Sequence, residues 1–121
     1  MLEAGIDVNI RDGANTKWTA LINAAYCDNI SCLKILLENG ADPDIKGEKD
    51  GWTALMYTAS ENYPDLAAEL LLKGADLNIL NNEGKSAIQL AQENNSQDAA
   101  KLLEAWGNQQ ALNQEMMTAA R

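Results

Sequence analysis

TALINAAYCDNISCLKILLENGAD, Thr19 to Asp42, returns as TALMYTASENYPDLAAELLLKGAD, Thr53 to Asp76, and again as SAIQLAQENNSQDAAKLLEAWG, Ser86 to Gly107. In each copy the opening hydroxyl stands 21 positions before a glycine, pairing Thr19 with Gly40, Thr53 with Gly74 and Ser86 with Gly107. A unit this short cannot bury its own apolar face. Copies must therefore stack side by side, sharing a core and presenting a broad outer surface.

Working outward from the hydroxyl, alanine and a large aliphatic follow at once: Ala20 and Leu21, Ala54 and Leu55, Ala87 and Ile88. Five positions on comes a small residue, Ala24, Thr58 or Ala91, and nine positions on an Asx residue, Asp28, Asn62 or Asn95. The hydroxyl caps the start of a short helix, and the Asx residue tolerates the left-handed conformation that ends one. A second apolar run at roughly helical spacing follows, from Cys32 to Leu37, Leu66 to Leu71 and Ala99 to Leu103. Each unit therefore reads as two short antiparallel helices. Gly40, Ala41, Asp42 and Gly74, Ala75, Asp76 close the first two units, with an echo in Gly5, Ile6, Asp7. Glycine there supplies a positive φ, and Gly107 is expected to end the third unit in the same way.

These residues together resemble the ankyrin repeat, whose pattern runs threonine, proline, leucine, histidine, x, alanine, alanine and later leucine, leucine, glycine, alanine, aspartate, x, asparagine. The likeness spans about Leu2 to Gly107, with periods of 34 from Thr19 to Thr53 and 33 from Thr53 to Ser86. It implies an all-α ankyrin-repeat solenoid of stacked helix-turn-helix units with projecting β-hairpin loops. The expected divisions are a repeat domain over 1–107, made of a remnant at 1–10 and units at 19–40, 53–74 and 86–107, then a tail over 108–121 that is either helical or flexible. Two departures recur. Proline is Ala20, Ala54 and Ala87, and histidine is Ile22, Met56 and Gln89. Gln89 can complete a capping box with Ser86, whereas Ile22 and Met56 are expected not to.

Composition narrows the function classes. The 121 residues carry a formal charge of −9, 46% hydrophobic residues and no phenylalanine, so the core is built from Leu, Ile and Ala in thin, closely stacked helices. Such a charge repels nucleic acid and anionic membranes and favours a basic partner surface, unless it serves solubility alone. No apolar stretch approaches the roughly 20 residues of a membrane span, and Met1, Leu2, Glu3 begins no signal peptide, so a cytoplasmic location is expected. With two cysteines, Cys27 and Cys32, and no histidine, neither a four-ligand zinc site nor a nucleophile–histidine pair is at hand. Cys32 is expected in the core, and Cys27 at the surface. No phosphate-binding glycine loop is present. The chain is therefore expected to need no metal or cofactor and to be no enzyme.

The ends of the array differ. Residues 1–9 match only the close of a unit, so the face of the first full unit, including Leu21 and Leu36, is expected to stand open. The chain is then a piece of a longer protein, or a partner or second copy covers that face by association. In the third unit Gln92 and Glu104 replace apolar residues of the earlier copies, which makes a polar cap.

Function is sought where matched units vary. The resemblance implies contact through loop tips and the exposed side of the first helices, which places Trp18, Trp52 and Lys85, each just before a hydroxyl, on the binding edge. The loops from glycine to hydroxyl shorten from 14 to 13 to 12. Trp18 and Trp52 are expected to form an apolar ladder ringed by Asp50, Glu48 and Lys17, joined by Tyr26 as a further anchor. Asp50, Glu48, Glu61 and Glu93 then steer a basic protein partner. The alternative is a small molecule or modified residue held between the two indoles. Against both stands a purely structural role in which each indole folds over its own loop. From the resemblance alone, Asn78 is a candidate for modification by an asparagine hydroxylase, or simply a brace for its loop.

Overall fold

A computed structural model describes residues 19–119, with side chains through Gln110. Six helices follow in order: α1 (Ala20–Tyr26), α2 (Ile30–Glu38), α3 (Ala54–Ser60), α4 (Pro64–Leu72), α5 (Ala87–Glu93) and α6 (Gln97–Ala119). First helices stack on first helices and second on second, α1 on α3 on α5 and α2 on α4 on α6. The connections between units are turns, and no sheet forms among the described residues.

Each first helix starts where its hydroxyl stands. Thr19 Oγ1 accepts from the amide of Ile22, Thr53 Oγ1 from Met56 and Ser86 Oγ from Gln89, all at 3.3 Å. The reciprocal half of the capping box comes from Gln89, whose Oε1 accepts from the Ser86 amide at 2.9 Å. Met56 does the same through its thioether, with the Thr53 amide donating to Sδ at 3.4 Å. That corrects the expectation that an apolar residue there leaves the cap open; sulfur is a weak acceptor but an acceptor. Each first helix then stops at the Asx residue, with φ of 56° at Asp28, 61° at Asn62 and 56° at Asn95.

Small residues let the layers close. Ala24, Ala25, Thr58, Ala59 and Ala91 are all buried, and Thr58 meets its cost by donating its hydroxyl to the Leu55 carbonyl at 2.8 Å. Large side chains fill between layers: Leu21, Leu33, Leu55, Met56, Leu70 and Leu103 are at most 2% exposed. Leu21 and Leu36 are buried too, contrary to the expected open face; the exposed apolar residues of α2 are Cys32 and Ile35. Cys32 is therefore not a core residue. Its equivalents Leu66 and Ala99 are buried because a preceding second helix packs on each, whereas α2 is the first of the described stack.

Gly40 and Gly74 end α2 and α4 with φ of 88° and 92°. Gly107 does not follow them, because α6 runs through it to Ala119. Asn108, Gln109, Gln110 and Ala111 continue a helix, while Ala41, Asp42, Pro43 turn away from one. The polar end of the third unit is realised as a bond, Gln92 Nε2 donating to Glu104 Oε1 at 3.0 Å. At the loop end, Gly51 is held at φ 73°, and an added Cβ would run into the side-chain oxygen and backbone nitrogen of Asn82.

Candidate functional site

Three aromatic rings from two units form a continuous row. Tyr26, the last residue of α1, meets the ring of Tyr57 on α3 edge-on, with centroids 5.6 Å apart and planes at 85°. Trp52, in the loop before α3, also packs on Tyr57, tilted at 42° with centroids 4.8 Å apart. Tyr57 is buried, Trp52 half-buried against the core and Tyr26 48% exposed. Such edge and tilted contacts are worth about 0.5–1.5 kcal/mol beyond burial, so the row is a stiff feature that reaches solvent at Tyr26.

Asp50 locks this row. Its Oδ2 accepts from the Tyr57 hydroxyl at 2.7 Å and its Oδ1 from the Trp52 amide at 3.0 Å. The carboxylate expected to steer a partner thus accepts two hydrogen bonds within the molecule, one from each of two members of the row. Lys85 donates to Glu93 Oε1 at 2.7 Å, a bond that raises the lysine pKa above its ordinary 10.5. Those two expected contacts neutralise each other. Glu48 and Glu61 are exposed, Glu61 as the residue that closes α3. A carboxylate at the negative end of a helix is mildly unfavourable to that helix.

Trp18 and Lys17 lie outside the described residues, so the pairing of Trp18 with Trp52 has no described geometry. Within the described residues the neighbour of Trp52 is Tyr57, whose place in the repeat suggests packing between units. The signal for this row lies in offsets that differ between copies: Tyr26 is seven after its hydroxyl, Tyr57 four after its own and Trp52 one before. Asn78 is exposed, its amide donating to Asp76 Oδ1 at 2.8 Å. Both cysteines are free and exposed. No group of three or more His, Cys, Asp or Glu side chains converges as a metal site among the described residues, and no described helix is long and apolar enough to cross a membrane.

Paired helices at a fixed period, short capped turns and an aromatic row on the first-helix side define a helical repeat solenoid. Comparison with known families agrees, with residues 39–115 matching ankyrin repeats (3 copies) and residues 1–57 ankyrin repeats (many copies). The chain belongs to the ankyrin repeat family. Among characterised proteins it is 40% identical over 65 residues to human protein phosphatase 1 regulatory subunit 27, a match covering 54% of this chain and 42% of that protein. It is 34% identical over 70 residues to mouse ankyrin repeat domain-containing protein 40, covering 58% of this chain and 19% of that one. A longer match, 85% of the chain at 35% identity, falls within 4% of the Cricetulus griseus neurogenic locus notch homolog protein 1. The chain thus spans less than half the length of each of these relatives.

Proposed function

We propose that this chain is a non-catalytic protein–protein interaction module that engages a partner protein through the aromatic row and the loop tips beside it. The observation that carries this reading is the Tyr26–Tyr57–Trp52 row, buried at Tyr57 and exposed at Tyr26. A large ring held in one orientation loses little conformational freedom on binding, which is why tyrosine and tryptophan dominate binding hot spots. The exposed Glu61 adds negative charge at the end of α3 that favours a basic partner surface. Trp52 is itself partly core, so its truncation perturbs stability as well as contact; Tyr26 is the cleaner probe.

The relative described as a regulatory subunit of protein phosphatase 1 makes that phosphatase the first partner to assay. The test is quantitative binding of the wild-type chain and of Tyr26→Ala to the phosphatase catalytic subunit, extended to partners captured from the source cell. Tyr26→Ala is expected to weaken binding about tenfold while the melting temperature falls only by the few degrees that loss of one edge contact implies. A partner bound equally well by Tyr26→Ala and by Trp52→Ala would remove the row from the interface.

A further inference from the structure

The edge of the stack made by the turns between paired helices is the least mixed part of the charge distribution. Residues 26–31, 60–65 and 93–98 contain Asp28, Glu61, Asp65, Glu93 and Asp98 and no lysine or arginine, and of these five carboxylates Glu93 alone is paired among the described residues, with Lys85. Helix ends do not decide the sign there. At the first two turns α1 and α3 bring their negative ends, and α2 and α4 their positive ones, so the partial charges offset and the carboxylates dominate.

Between those two turns lies a cavity of about 340 Å³. Ile30, Tyr63, Pro64 and Leu66 give it apolar walls, and Asn62 with the exposed Asp28 and Asp65 completes its lining. Its size falls at the lower end of small-ligand sites, about 300–1,000 Å³, and suits one long side chain. Neither carboxylate takes a side-chain hydrogen bond or an ion pair among the described residues. Tyr63 registers the same environment: burial first, then the charges of Glu61 and Asp28, push its phenol above the ordinary 10.0.

One unit further along, the corresponding gap is laced. Ser96 Oγ donates to the Ser60 carbonyl at 2.8 Å, Asn94 Nδ2 to Ser60 Oγ at 3.1 Å, and the Ala99 amide to Asn62 Oδ1 at 3.0 Å. At the first junction Tyr63 stands where Ser96 does and Glu61 where Asn94 does. A ring and a carboxylate replace two short donors, and the space stays open.

We infer that this cavity receives an arginine side chain from a basic segment of a partner protein. The aliphatic stem lies against Ile30, Pro64 and Leu66, and the guanidinium reaches the carboxylates of Asp28 and Asp65. Arginine fits better than lysine because its planar fork serves two carboxylates, is less strongly hydrated and can lie on the Tyr63 ring. Nucleic acid and phosphorylated segments are repelled by the same charges. This inference rests on the reading of the chain as a partner-binding module, but it uses residues outside the aromatic row.

The test is a titration of the isotope-labelled full chain with a short peptide of alternating arginine and serine, followed by amide resonances. Peptides with lysine or citrulline in place of arginine are run beside it. Saturable shifts at Asp28–Ile30 and Tyr63–Leu66 are expected with arginine, weaker ones with lysine and none with the neutral citrulline. Affinity should fall with added salt, and about tenfold in Asp28→Asn/Asp65→Asn. An equal response to citrulline, shifts confined to other surfaces, or unchanged affinity in the double variant would overturn the inference. The citrulline and salt comparisons use the unaltered chain, so they stay decisive even if the double variant fails to fold. Peptide binding here, with no protein partner sensitive to Tyr26, sinks the aromatic-row reading alone; the reverse pattern sinks this one alone.

Discussion

The two junctions of the turn edge share a backbone and differ in what their side chains do. Between the second and third units Ser96, Asn94 and Asn62 spend their polar groups on the neighbouring turn. Between the first and second units the matching residues Tyr63, Glu61 and Asp28 border or adjoin a cavity and leave carboxylates facing outward. A repeat fold tolerates both because the apolar layers beneath carry the stacking. The lesson is that short hydroxyl and amide side chains at the turns close a junction, and their replacement turns the same place into surface for contact.

The sharpest test of that contrast substitutes equivalent residues. Asn62→Ala puts alanine at φ 61° and removes the acceptor of the Ala99 amide, a combined loss of about 2 kcal/mol. Asp28→Ala meets the same backbone demand at φ 56° without losing such a bond, and costs about 1 kcal/mol. Denaturant unfolding of the two variants measures the gap. Equal losses would mean that the lacing contributes nothing and that the junctions differ only in appearance.

Ser96→Ala comes next. The serine is 3% exposed, and its loss leaves the Ser60 carbonyl without that donor, for about 1–1.5 kcal/mol. In a domain whose total stability is about 5–15 kcal/mol, that shift is easily read in the denaturation midpoint. A neutral result would show that water replaces the hydroxyl and that the second junction is no more closed than the first.

Much of this was legible in the sequence. Thr19, Thr53 and Ser86 start helices and Asp28, Asn62 and Asn95 stop them, because each role depends on local chemistry at a fixed offset. What escaped depended on partners elsewhere. The aromatic row joins different offsets of two units, Asp50 is tied by a hydroxyl seven residues away, and Cys32 is exposed because of its place in the stack rather than its type. The cavity's one trace in the sequence is the exchange of Ser96 and Asn94 for Tyr63 and Glu61 at the matching offsets, which carries no meaning until the turns are seen to face each other.

Gly107 shows the same limit and gives a test of opposite sign. In the first two units glycine ends the second helix with positive φ, so Gly74→Ala, at 92°, should cost about 1 kcal/mol. In the third unit the helix continues, and a Cβ on Gly107 would meet only Leu77 Cδ1 at an ordinary 3.7 Å. Gly107→Ala should therefore stabilise by about 0.5–1 kcal/mol. Thermal melts that move in the same direction for both variants would mean that α6 breaks at Gly107 in solution and that the third unit ends like its predecessors.

The smallest effect is also the most direct probe of the open junction. Tyr63 has its pKa raised by burial first and by Glu61 and Asp28 after it, so the folded state keeps the phenol proton to higher pH than the unfolded chain does. The stability this contributes is fully present below about pH 10 and is lost as pH rises through the folded-state value. Asp28→Asn removes one of the lesser causes, so the Tyr63 titration, followed by its ring resonances, should move part of the way back toward 10.0 without reaching it. Arginine-peptide binding should move it in the same direction, because a guanidinium beside the phenol favours the phenolate. A Tyr63 titration indifferent to Asp28→Asn would place that carboxylate away from the cavity. The two junctions would then differ in their hydrogen bonds but not in their electrostatic field.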